Sequence, residues 1–178
     1  MNNSDVINIG LDRCRRRIQQ TAQHLDPPQT GPLHEALGPV LEQLVAVYNL
    51  AGGLVDELRQ SSGLPLATTP SGRDFLTQLA AALAHTHRAA SHLSTTVTGL
   101  TDVHRLAPRA GTSATAESRL SVALGHAAAL RSLKRALAAV TVPVACTPPT
   151  AACAPASTVA EQHGRAAAND TRPVRRRL

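Results

Sequence analysis

Aromatic side chains are nearly absent from this 178-residue chain, which holds one Tyr, one Phe and no Trp. β-sandwiches and barrels draw on Val, Ile, Tyr, Phe and Trp, and a chain this poor in them is not expected to build a sheet. Lysine is rarer still: Lys134 stands alone, and Arg supplies every other positive side-chain charge apart from histidine. Cysteine occurs three times, at Cys14, Cys146 and Cys153, an odd number with no Cys-x-x-Cys pair. A disulfide framework and a closed zinc shell of about four ligands are both excluded by that pattern, so the thiols read as incidental. No cofactor is implied.

Long apolar runs are missing too. The longest stretch without a charged residue, from Ala136 to Ala160, is interrupted by Pro143, Pro148, Pro149 and Pro155. It therefore cannot form a membrane span. The opening residues Met1 to Asp5 are polar and lead into no basic-then-apolar leader. The expectation is a cytoplasmic protein without a secretory signal.

What is plentiful is Ala, with runs at 80–82, 127–129 and 166–168. Ala is the best helix former, and the length suits one domain. The composition therefore predicts an all-α protein.

Four segments carry a helical apolar period. In the first, over about 4–25, Ile7, Leu11, Cys14, Ile18, Thr21 and Leu25 recur at spacings of four and three. Ser4 is its expected N-cap, and Pro27-Pro28 closes it. The second, over about 32–61, is expected to kink at Gly38-Pro39. It presents two adjacent rows: Leu37, Leu41, Leu44, Tyr48, Ala51, Val55 and Leu58 in one, and Leu33, Val40, Val47 and Leu54 in the other. Two rows predict a helix buried over a wide face, with Val45 and Leu50 left over as a surface patch. Gly52-Gly53 is either a weak point or a place where a neighbour comes close.

The third segment, over about 72–104, keeps the heptad through Leu76, Leu79, Leu83, Thr86, Ala90, Leu93, Val97 and Leu100, with Ser71 as its expected N-cap. In the fourth, over about 113–141, Leu120, Ala123, Leu124, Ala127, Leu130, Leu133, Leu137 and Val140 form the expected inner face. Four amphipathic helices with short connections predict an antiparallel bundle over residues 1–141. Residues 142–178 are rich in Ala, Pro and Thr, bury little, and read as a disordered tail with a basic end.

The net charge of +6 permits a nucleic acid or another anionic partner. Half of it lies beyond Val142, where Arg165, Arg172, Arg175, Arg176 and Arg177 oppose Glu161 and Asp170. A second cluster is Arg13, Arg15, Arg16 and Arg17. Contact with phosphate is the functional reading of these two clusters, a solvated helix face and a solubilising tail the alternative. No aromatic platform accompanies either, which excludes stacking on single-stranded bases.

Catalytic and metal patterns fare worse. His85 and His87 point about 200° apart on a helix, and His85 and His92 lie two turns apart, too far for one ion. They read as surface histidines, although either His85 or His92 could meet His126 across two helices. Glu35, Glu42, Glu57 and Glu117 lack a His three residues on, and His34-Glu35 is followed by Gly38 where a zinc protease needs His. There is no Gly-x-Ser-x-Gly elbow, and Ala51-Gly-Gly-Leu54 lacks the Lys-Ser/Thr of a phosphate loop. The Trp-x-Gly turn of small type VII export hairpins is missing, and the residue four after Tyr48 is Gly52 rather than an acid.

The sequence thus points to a non-catalytic helical bundle acting through protein contacts, self-association included. A nucleic-acid accessory protein is the alternative reading, and an enzyme with a pocket between helices the third.

Overall fold

A computed structural model describes residues 3–28, 33–106 and 112–141. The expected tail, with Cys146, Cys153, Arg172, Arg175, Arg176 and Arg177, lies outside them. Among the described residues the chain forms four α-helices: α1 (Asn3–Gln23), α2 (Leu33–Ser62), α3 (Pro70–Leu106) and α4 (Thr112–Ala139). A 3₁₀ turn, Pro65–Thr68, joins α2 to α3 and buries Leu66 in the core.

Cross-helix contacts establish the antiparallel order. Arg13 meets Glu57 while Asp26 meets Gln43, so α1 and α2 run in opposite directions. Ala36 and Val40 cluster with Leu100, whereas Leu58 lies beside Leu76, so α2 and α3 do as well. Gly99 faces Val122 and Gly125 faces Thr96, which sets α4 antiparallel to α3. The fold is the four-helix bundle that the periodicity predicts.

The first and third helices turn the expected rows inward, with Thr21, Leu76, Leu83 and Val97 half-buried. Ile7, Leu11, Cys14, Ile18 and Leu25 are buried, as are Leu79, Thr86, Ala90, Leu93 and Leu100. Thr86 and Thr96 are tolerated in the core because each hydroxyl donates to a carbonyl one turn back, Ala82 and His92 respectively. The start of α3 differs from expectation. Thr69, not Ser71, is the cap: its hydroxyl accepts from the Gly72 N–H at 3.1 Å, and Pro70 takes the first helical position. Pro suits that position because its missing N–H would be unpaired there anyway.

Two rows depart in part from the sequence reading: one of the two expected on α2, and the first half of the one expected on α4, whose Leu133 and Val140 are buried as expected. On α2 the inner face is Val40, Gln43, Val47, Leu50, Ala51 and Leu54, while Leu41, Tyr48 and Val55 face outward. Leu50, expected on the surface, is only 3% exposed. On α4 the inner face begins with Val122, Gly125, His126 and Ala129, leaving Leu120 and Leu124 outside at 59% and 60%. On α4 the cause is close approach to α3. A Cβ on Gly125 would stand 2.6 Å from Thr96 Oγ1, and one on Gly99 would stand 2.9 Å from Val122 Cγ2. A leucine row cannot enter a seam that narrow, so the small residues turn inward. Pro39 lies inside α2 and does not end it: the helix runs unbroken from Leu33 to Ser62.

The core has two apolar clusters. The larger holds Ile18, Val47, Leu54, Phe75, Leu79, Leu93 and Leu133, and the smaller Ala36, Val40, Leu100 and Val122. A polar layer stands between them, because Gln43 sits between Val40 and Val47 on α2 and His126 between Val122 and Ala129 on α4. Its reason is the chain leaving α1. The Asp26 carbonyl, past the helix end, needs a donor, and Gln43 Nε2 supplies one at 2.8 Å.

Candidate interaction surface

The arginines of α1 are each taken up locally. Arg13 Nη1 pairs with Glu57 Oε2 at 3.3 Å, and Arg15 Nη1 with Asp12 Oδ1 at 2.9 Å. Arg16 Nε donates to the Asp12 carbonyl at 3.3 Å. The Arg17 guanidinium lies on the bare backbone of Gly53, where a Cβ would collide with it. This is the close neighbour that the double glycine allows, and it is a side chain rather than a helix backbone. Arg13 and Arg17 lean toward α2 while Arg15 and Arg16 fold back on α1. An exposed pair such as Arg13–Glu57 is worth about 0–1 kcal/mol, so these contacts orient the side chains more than they stabilise the bundle.

Of the histidines, His85 and His92 are half-buried and His87 is exposed. His126 is buried, and its Nε2 has no partner. Burial pushes the His126 pKa down, opposed by a hydrogen bond to the Asp26 backbone and by the Asp26 carboxylate. The Cys14 thiol is pushed up to about 11, chiefly by burial and then by the nearby Glu57 carboxylate, against Arg17 and Arg13. Among the described residues no three His, Cys, Asp or Glu side chains gather as metal ligands would. No helix there is long and apolar enough to cross a membrane.

The most distinctive surface is the outer face of α2. Leu41, Val45, Tyr48 and Val55 are 41%, 57%, 54% and 46% exposed. With Gly52 they follow spacings of four, three, four and three, a straight row along one helix. Val45 is exposed, as the sequence reading expected, while Leu50 is not. Grooves of opposite character flank the row. Toward α3 lies an apolar one, lined by Val55, Leu58, Leu76 and Ala80. Toward α1 lies a polar one, lined by Arg17, Tyr48, Asn49, Gly52, Gly53 and Asp56.

A second apolar groove runs between α3 and α4, where Leu120 and Leu124 stand beside His92 and Glu117. It brings a histidine and a carboxylate to one place, within a mostly apolar wall. Sequence reasoning missed both exposed rows because their periodicity is that of a buried seam. Compared with protein-family models, with curated proteins and with solved structures, the chain shows no match.

Proposed function

We propose that this chain is a non-catalytic, cytoplasmic helical-bundle protein that works through protein contacts made by the outer face of α2. The observation that carries the reading is the row of Leu41, Val45, Tyr48 and Val55, four large apolar side chains held in water on one rigid helix. Exposed apolar rows of this kind mark contact surfaces, and the four–three spacing is that of a coiled-coil seam. Tyr is also a residue on which contact energy concentrates. Phosphate binding through the arginines of α1 draws less support, since Arg13 and Arg15 already face carboxylates.

Sizing the tagged full chain in extract of its own host tests this. The wild type should run in an assembly larger than one chain. A variant with Val45→Glu and Tyr48→Glu should keep its helicity and run as a single chain. Wild type running as a single chain at every concentration would overturn the reading.

A further inference from the structure

The outer row of α2 has the symmetry of a surface that matches itself. An isologous dimer requires a knob and its hole on the same patch, so that each copy fills the other. Here both lie on one helix, four residues apart. Tyr48 is the bulkiest exposed side chain of the row, and Gly52 is its bare position: nothing lies within 4 Å of where a Cβ on Gly52 would be.

Consider a second α2 laid antiparallel on the first, with the two-fold axis level with residue 50. Tyr48 then faces Gly52 of the second copy, Val45 faces Val55, and Leu41 faces the aliphatic stem of Arg59. Each pairing occurs twice. Sliding the axis by half a heptad toward the N-terminus sets Tyr48 against Val45 and Val55 against Gly38, crowding one level and emptying another. The register at residue 50 alone puts ring over glycine and valine over valine.

The chemistry of the groove beside Gly52 agrees with it. The floor of the polar groove beside Gly52 offers Arg17 and Asp56. An incoming tyrosine ring would lie near the Arg17 guanidinium, with its hydroxyl toward the Asp56 carboxylate. On the flank that carries Asn49, the same two-fold brings Glu42 of one copy near Asp56 of the other, with the Arg59 of that copy between them, so charges of both signs meet along this edge. Asn49 of each copy lies next to the axis, amide toward amide.

We propose that the partner of this surface is a second copy of the chain, joined through an antiparallel α2–α2 pair in which each Tyr48 sits over the other copy's Gly52. This rests on the reading of the row as a contact surface and names its occupant.

Sedimentation equilibrium of the purified full chain should show a reversible monomer–dimer equilibrium over about a hundredfold range of concentration. Gly52→Gln fills the hole while improving the helix. It should weaken the dimer about tenfold or more, yet raise the melting temperature of the dilute monomer. Tyr48→Ala should weaken the dimer as strongly. For orientation, Cys146 and Cys153 are replaced by Ser and a nitroxide is placed at Asn49→Cys or at Ser62→Cys. The first should give a short distance between labels, and the second a separation of about 36 Å along the helix axis.

A purified chain that stays monomeric throughout overturns the second-copy proposal. If that chain still enters a larger assembly in extract, the contact surface stands and its partner is another protein. A dimer indifferent to Gly52→Gln, or short distances at both label positions, also overturns the antiparallel pairing.

Discussion

The ring of Phe75 on α3 lies against the bare backbone of Gly10 on α1. A Cβ on Gly10 would stand 3.0 Å from Phe75 Cζ and 3.3 Å from Glu57 Oε1. The chain's one phenylalanine, 1% exposed, thus fills the space that one glycine leaves, and α1 is keyed to α3 at that point.

Both sides of this contact are open to measurement. Phe75→Ala removes the largest fully buried side chain and should cost about 3–5 kcal/mol in urea unfolding. Gly10→Ala adds a methyl where the ring already sits and should cost about 1–2 kcal/mol, despite the better helix propensity of Ala. A neutral or stabilising Gly10→Ala would mean that the ring does not hold this position.

Two other glycines should respond with opposite signs. At Gly52, where a Cβ meets nothing, Ala should stabilise the dilute monomer by about 0.5–1 kcal/mol. At Gly125 the new Cβ would press on Thr96 Oγ1 and, at 3.1 Å, on the His92 carbonyl, which is backbone and cannot swing aside. Gly125→Ala should therefore destabilise by about 1–3 kcal/mol. Denaturant midpoints of the two variants check the sign directly.

Cys14 should be inert in the folded chain. It is 2% exposed, and its thiol is held up at about 11, so little thiolate forms near neutral pH. With Cys146 and Cys153 replaced by Ser, a thiol-reactive dye should label Cys14 only as fast as the bundle opens. Rapid labelling of the native protein would contradict the burial.

His126 should make the bundle weaken in mild acid. Burial lowers its folded-state pKa below the ordinary 6.5, so the unfolded chain takes up the proton first. Stability from this group is complete above 6.5 and is lost as pH falls below it toward the folded value. Melting temperatures between neutral pH and about pH 5 should drop more for wild type than for His126→Gln, which keeps a polar side chain and removes the titration. Equal slopes would assign the acid sensitivity to other groups.

Much of the architecture was legible in the chain. The four–three spacing through Ile7 to Leu25 and through Leu76 to Leu100 located two helices and their inner faces. Which row of α2 and α4 turns inward was not legible, because a local period cannot report how near the neighbouring helix comes. Gly125 and Ala129 outcompete Leu120 and Leu124 for α3 only once the helices are packed. Phe75 carried no periodic signal of its own, and its importance comes from Gly10, 65 positions away in the chain. As for the contact surface, Val45 could be read as a surplus apolar residue. Tyr48 and Val55 could not, since in sequence they belong to a row that looks destined for the core.

The seam of small residues between α3 and α4 also bears on the order in which the molecule assembles. It is the most extensive helix pairing in the bundle and joins consecutive helices, so its contacts close short loops. Such contacts form early, which makes the α3–α4 hairpin the natural nucleus of folding, with α2 following. The first helix shares the least with its neighbours, and on that ground is expected to dock last. Its transient release would be the cheapest opening available to the native state, baring Phe75 and Cys14 together while the other three helices stay paired.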